Sequence, residues 1–321
     1  MPSAAPLPTF DDVLAAAARI AAHAHVTSVL RARALDAAAG CTLHFKAEQL
    51  QRTGAFKFRG ACNAVWSLDD DQARAGVVTH SSGNHGAALA LAARTRGIPC
   101  HVVVPDNAVR TKRVAIEGYG AVLHACASTL DAREAGCAEV QRSTGATLVH
   151  PYTDPRVIAG QGTAALELLN AVGALDAVVV PVGGGGLVSG TALALSVLAP
   201  GCRLFAAEPA GAADAQRSLQ RGSRVTDVVP DTICDGLRAT IGAPNLALMQ
   251  AHGVEVLLVE DAQTVGAMRL LMQQTKQLVE PSSAIALAAI LAHPGRFAGL
   301  RVGVILSGGN VDLDALPWGV S

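Results

Sequence analysis

Apolar residues recur along this chain in two alternating rhythms. Short β-branched runs predict strands at Gly76 to Thr79, Cys100 to Val104, Ala121 to His124, Thr147 to Val149, Asp176 to Val180, Arg203 to Ala207, Val254 to Val259 and Arg301 to Leu306. Between them, alanine-rich stretches with apolar positions at helical spacing predict helices at Asn84 to Arg96, Val109 to Glu117, Thr129 to Arg142, Asp154 to Ala171, Gly185 to Leu198, Ala262 to Leu278 and Ser282 to Ala292. Ahead of these, Phe10 to Ala24 reads as a helix opened by Asp11-Asp12, and Cys41 to Lys46 alternates as a half-buried strand does. A further helix starts near Lys57 and runs through Ala61, Ala64 and Val65, while Gly222 to Pro244 is looser and more polar. Alternating strands and helices imply parallel sheets covered on both faces. There are too many units for one small sheet, so the fold class is α/β with two doubly wound open-sheet domains. Such folds hold ligands beyond the carboxyl ends of the strands.

Composition narrows the function. Half of the 321 residues are hydrophobic, 16% are charged and the net charge is −1, which supports a large core and argues against a nucleic-acid or anionic-membrane surface. The seven cysteines are odd in number and lack CxxC spacing, so they read as reduced thiols of a cytoplasmic protein. The N-terminus shows no secretory signal. The apolar stretch Ala177 to Ala199 contains Pro181 and four consecutive glycines, so it reads as strand, loop and buried helix rather than a membrane span.

Four places carry candidate chemistry. In Thr53-Gly54-Ala55-Phe56-Lys57-Phe58-Arg59-Gly60 a lysine is wedged between two phenylalanines. An apolar setting lowers a lysine's pKa and frees its amine for imine chemistry, although such a residue also suits a snorkelling role. His80-Ser81-Ser82-Gly83-Asn84-His85-Gly86 follows a strand and enters a helix, where backbone N–H groups favour a carboxylate or phosphate; helix capping by Ser81 or Ser82 is the plainer alternative. Gly183-Gly184-Gly185-Gly186-Leu187 has the form of a phosphate cradle, without the Gly-Lys-Ser/Thr ending of a nucleotide loop. Ser307-Gly308-Gly309-Asn310 offers a neutral hydroxyl suited to a ring nitrogen. Together the four describe a pyridoxal phosphate pocket.

The same motifs, joined by Lys46 to Thr53, Ile158 to Thr163 and Glu280-Pro281, stand in the order and spacing of the serine/threonine dehydratase family, and the chain resembles that family over nearly its whole length. Its relatives include serine racemases, hydroxyaspartate dehydratases and threonine ammonia-lyases. The resemblance implies a fold-type-II, tryptophan synthase β-like architecture. A large cofactor-binding domain would comprise residues 1–49 and 150–321, and a small mobile substrate-side domain residues 50–149. It implies pyridoxal 5'-phosphate held by Lys57 as an imine, with Phe56 against the ring, Asn84 at the phenolic oxygen, Gly183, Gly184, Gly185, Gly186 and Leu187 at the phosphate, and Ser307 at the pyridine nitrogen.

By the same resemblance, Lys57 is the base on one face and Ser82 a relay on the other. Ser81, Ser82, Asn84 and His85 take the substrate carboxylate, and Arg133 lies near the substrate. Glu208, the Ala212 carbonyl and Asp214 match the family's divalent-cation site, for Mg²⁺, Ca²⁺ or Mn²⁺. The implied activity is β-elimination from a β-hydroxy amino acid of the serine, threonine, 3-hydroxyaspartate or 3-phenylserine type, giving a 2-oxo acid and ammonia, in a homodimer. Racemisation is the alternative. Departures are Ala55, where the family usually has serine, and Ala239, where a hydroxyl that favours serine is missing. The chain ends soon after Asn310, which leaves no room for a regulatory domain and favours a catabolic role.

Overall fold

The computed structural model describes residues 6–108 and 110–318. Helix α1 (Phe10–Ile20), β1 (Val29–Leu30), α2 (Arg33–Ala39) and β2 (Thr42–Ala47) lead to α3 (Lys57–Trp66), which begins at the candidate lysine. Next come α4 (Asp70–Ala75), β3 (Val77–His80), α5 (Asn84–Arg96), β4 (Cys100–Pro105), α6 (Arg110–Gly118), β5 (Val122–Cys126), α7 (Leu130–Thr144) and β6 (Thr147–Leu148). The chain continues through α8 (Pro155–Val172), β7 (Ala177–Pro181), α9 (Gly186–Leu198), β8 (Arg203–Pro209), α10 (Asp214–Arg221) and α11 (Ala243–Ala251). It closes with β9 (Glu255–Val259), α12 (Asp261–Thr275), α13 (Pro281–Ala292) and β10 (Arg301–Leu306). Val109, expected to start a helix, lies outside the described residues.

The strands form two sheets, ordered β1-β2-β10-β7-β8-β9 and β5-β4-β3-β6. Every pairing is parallel except β1 with β2. Successive side chains of a strand point to opposite faces, and both faces are filled here. In the smaller sheet Val102 and Val104 pack with Leu89 and Phe58, while Val103 and Val78 pack with Cys137 and Val140. In the larger one Val179 and Phe205 meet Ile285 and Met268, and Val178 and Val180 meet Leu168 and Leu187. Each fully buried aliphatic side chain is worth about 1.5–3 kcal/mol, so the sheets give the loops at their carboxyl ends a rigid base. The stretch from Ala177 resolves into β7, a glycine loop and α9, and among the described residues no helix is long and apolar enough to cross a membrane.

Two expectations need correction. Strand β2 is not half-buried: Leu43, His44, Phe45, Lys46 and Ala47 are all buried. Its polar positions face a second protein layer, where Lys46 Nζ donates to Glu167 Oε2 at 2.5 Å and to Thr27 O at 2.7 Å. The short helices α2, α4, α10 and α11 were also not expected from the hydrophobic pattern.

Candidate active site

Lys57 is the first residue of α3, and its approach is stitched to the turn after β10. Phe56 N donates to Ser307 O at 3.0 Å, Gly309 N donates to Gly54 O at 2.9 Å, and Ala55 forms an isolated bridge with Gly308. Thr53 sits in the left-handed region (φ 60°), a costly conformation for a β-branched residue. The Asn310 amide clamps it there by donating to Thr53 O at 2.7 Å. Lys57 is partly exposed as a residue, but its amine lies deep in the protein, donating to Pro151 O at 2.9 Å and standing 5.1 Å from the Phe56 ring centroid. Burial pushes its pKa down to about 8.

The loop after β3 enters α5 through Gly83, and among the described residues no side chain caps that helix. The capping alternative for Ser81 and Ser82 therefore has no support; Ser81 Oγ only accepts a long 3.4 Å bond from Gly83 N. Asn84 is fixed at both ends: its Nδ2 donates to Glu280 at 3.1 and 3.2 Å, and its Oδ1 accepts from Asn310 Nδ2 at 2.9 Å. Burial pushes the Glu280 carboxyl up to about 7.

Gly183 to Leu187 are all buried, and α9 also begins without a side-chain cap among the described residues. A Cβ at Gly183 would lie 2.8 Å from Leu237 Cα, one at Gly184 would strike the Tyr152 ring, and one at Gly185 (φ 95°) would strike Ile241. The glycines thus keep the loop closed while the free N–H groups of a buried helix start remain in need of an anion. Ser307 is buried, and its hydroxyl has one long bond, donated to Ser282 O at 3.3 Å. A phosphorylated pyridine aldehyde fits these parts: an amine of lowered pKa, an uncapped buried helix start, an aromatic neighbour and a hydroxyl free to rotate.

Four ring side chains cluster on this side of Lys57, whose charge reaches His85 and His150. His85 Nε2 lies 3.2 Å from Val149 O, while the His80 and His150 rings meet edge to face with centroids 5.1 Å apart, and His150 meets Tyr152 at 4.6 Å. His150 and Tyr152 carried no sequence signal, because only the parallel pairing of β3 with β6 brings them beside Lys57. Arg133, on α7, is partly buried and forms no ion pair among the described residues. Its charge reaches His80 and Tyr152.

The second cluster lies after β8. Glu208 accepts from Ala215 N at 2.6 Å and Gln216 N at 2.9 Å, and Asp214 accepts from Ile241 N at 2.7 Å. Both carboxylates and Ala212 are buried, and neither acid has an ion-pair partner among the described residues. Burial raises both acids, Glu208 to about 8.

The family described as "Pyridoxal-phosphate dependent enzyme" matches residues 20–308. The chain is 50% identical over 312 residues to beta-hydroxyaspartate dehydratase of Paracoccus denitrificans, covering 97% of this chain and 99% of that protein. It is 46% identical to the serine racemase of Dictyostelium discoideum, covering 96% of each. Among solved structures, maize serine racemase superposes with a TM-score of 0.93 at 43% identity, covering 96% of this chain and 95% of that one. The chain therefore belongs to the pyridoxal-phosphate dependent enzymes.

Proposed function

We propose that the enzyme eliminates water from 3-hydroxyaspartate, giving a 2-oxo dicarboxylic acid and ammonia. The observation that carries the choice of substrate is Arg133, a partly buried cation whose charge reaches His80 and Tyr152, whose Nε donates to Thr129 O at 3.3 Å, and which has no ion-pair partner among the described residues. Serine, threonine and 3-phenylserine have one carboxylate, and the uncapped start of α5 with Ser81, Ser82, Asn84 and His85 suffices for it. A β-carboxylate gives Arg133 its partner. The 50% identity to a beta-hydroxyaspartate dehydratase supports the same choice.

When bound, pyridoxal phosphate supplies the electron sink for the carbon that loses its proton. Lys57, with a pKa of about 8, holds a useful fraction of free amine near neutral pH and takes the α-proton; Pro151 O aims it. Phe56 walls the ring and Ser307 meets its nitrogen as a neutral partner. Residues 50–149 act in this proposal as the mobile substrate-side unit, within a cytoplasmic homodimer; the seven free thiols suit a reducing compartment. Glu208, the Ala212 carbonyl and Asp214 hold a divalent cation, Mg²⁺ foremost, because two buried carboxylates with backbone donors alone are incompletely neutralised.

Racemisation is the second reading. Ser82 supports it, since its hydroxyl neither caps α5 nor finds another protein partner among the described residues. The test is oxo-acid release from the isomers of 3-hydroxyaspartate, serine, threonine and 3-phenylserine, with chiral analysis of unreacted substrate. The expected result is a kcat/KM for one 3-hydroxyaspartate isomer at least tenfold above serine, which Arg133→Met reduces by about 1.4 kcal/mol or more, a tenfold loss or greater. Equal rates on serine in wild type and no effect of Arg133→Met would sink the dicarboxylate assignment. Unchanged enantiomeric composition during turnover would exclude the racemase.

A further inference from the structure

The wall beside Lys57 contains imidazoles that the proposed elimination leaves without a task, and their hydrogen bonds fix where the protons sit. His150 Nδ1 accepts from the backbone amides of Tyr152 at 3.4 Å and Thr153 at 3.2 Å, so its proton is on Nε2. That N–H has no protein partner among the described residues. His85 Nε2 faces the Val149 carbonyl, which can only accept, so His85 presents a bare Nδ1, buried and unpartnered. His80 Nε2 is likewise buried without a partner. Burial keeps the rings neutral, His80 at about 4 and His150 at about 3.

His150 is also held rigidly. Its ring meets two others edge to face, His80 (81° between planes) and Tyr152 (86°). The residue between His150 and Tyr152 is Pro151, whose carbonyl receives the Lys57 amine. One short turn therefore aims both the base and a neutral N–H donor. His150 is only partly buried, so its unpartnered Nε2–H is open to water or to a ligand.

We infer that His150 determines specificity for the leaving group: its Nε2–H donates a hydrogen bond to the β-oxygen of the substrate, with His80 as a positioning residue that holds the ring. The inference rests on the elimination reading above. His150 keeps its proton throughout; it orients the hydroxyl and stabilises charge on the departing oxygen, and no proton transfer is assigned to it.

The experiment compares the holoenzyme and two variants on the 3-hydroxyaspartate isomer it consumes and on 3-chloroaspartate of the same configuration. Chloride leaves with little need of a hydrogen-bond donor. His150→Phe, which keeps an aromatic ring and removes the donor, is expected to lower kcat/KM for the hydroxy substrate about 100-fold or more. The chloro substrate should stay within about threefold of wild type, since it makes no use of the removed donor. His150→Asn, which restores an N–H, should recover about tenfold or more of the loss on the hydroxy substrate. Equal losses on both substrates, or none on either, in the two variants overturn the inference. Wild-type enzyme that eliminates from neither substrate overturns the underlying reading, and this inference falls with it.

Discussion

Two regions of this protein bury carboxylates, and they solve the problem in opposite ways. Behind Lys57, Arg59 and Lys46 meet Glu48 and Glu167, two cations for two anions. Arg59 Nε donates to Glu48 at 2.6 Å, its Nη1 and Nη2 donate to Glu167 at 2.7 and 2.8 Å, and Thr27 Oγ1 donates to Glu48 at 2.5 Å. After β8, Glu208 and Asp214 have backbone donors and no ion-pair partner among the described residues, with only the more distant charges of Arg217 and Arg224 to help. Buried charge is tolerable only when compensated. The first cluster is complete within the polypeptide and serves the placement of α3. The second has backbone amides alone as hydrogen-bond donors to its acids, which is why the proposal gives it an ion from outside. The pKa directions tell the same story: hydrogen bonds and charge from Arg59 and Lys46 outweigh burial and lower Glu167, whereas burial raises Glu208 and Asp214.

The largest break in this contrast comes from Arg59→Met. It strips buried Glu48 and partly buried Glu167 of their main partner and should cost about 3–5 kcal/mol in urea unfolding of the purified protein. Oxo-acid formation should fall with it, because α3 loses the anchor two residues beyond Lys57. A loss below about 1 kcal/mol would show that the network is not the closed unit described.

Next in size is the effect of Mg²⁺ or Ca²⁺. At 100 times the dissociation constant, binding should stabilise the protein by about 2.7 kcal/mol, seen as a chelator-reversible rise in Tm. Asp214→Asn should abolish the rise, and a variant that still shows it would place the ion elsewhere. The smallest effect concerns pH in the presence of chelator. Glu208, raised in the folded state, contributes stability that is complete below its ordinary value of 4.5 and lost as pH rises through about 8. Glu167, lowered, contributes stability that is lost instead as pH falls. Glu208→Gln should flatten only the alkaline limb in thermal melts and change stability at neutral pH by less than about 1 kcal/mol, or in the stabilising direction.

Much of this was legible in the sequence where the chemistry is local. Four consecutive glycines have few other uses, and the structure gives them a steric reason in Tyr152, Leu237 and Ile241; the lysine between phenylalanines suits a snorkelling role equally well, and only the distant loops point away from it. What stayed hidden is what tertiary structure brings together. Arg59 and Glu167 lie 108 residues apart, and His150 becomes a neighbour of His80 only through the pairing of the strands before them. Strand β2 looked half-exposed because Lys46 and His44 read as solvent residues, when Lys46 has a partner of opposite charge in Glu167. Among the unexpected short helices, α4 did carry a usable signal, a capping box between Asp69 and Gln72. Helices α2 and α11 have no side-chain cap, and their few turns of apolar periodicity are easily lost.

The ladder between β2 and β10 has a consequence for how the protein is made. It pairs Thr42 to Ala47 with Arg301 to Leu306, and the turn beyond it holds the approach to Lys57. On the ribosome, the first half of that ladder emerges some 250 residues before the second. Until then β2 lacks its parallel neighbour, and its apolar side chains await a surface on which to pack. Lys57 is thus encoded early and its approach assembled last, and pairing over so long a separation is slow. A nascent or truncated chain that lacks β10 has every early motif of the enzyme and no place to hold its cofactor.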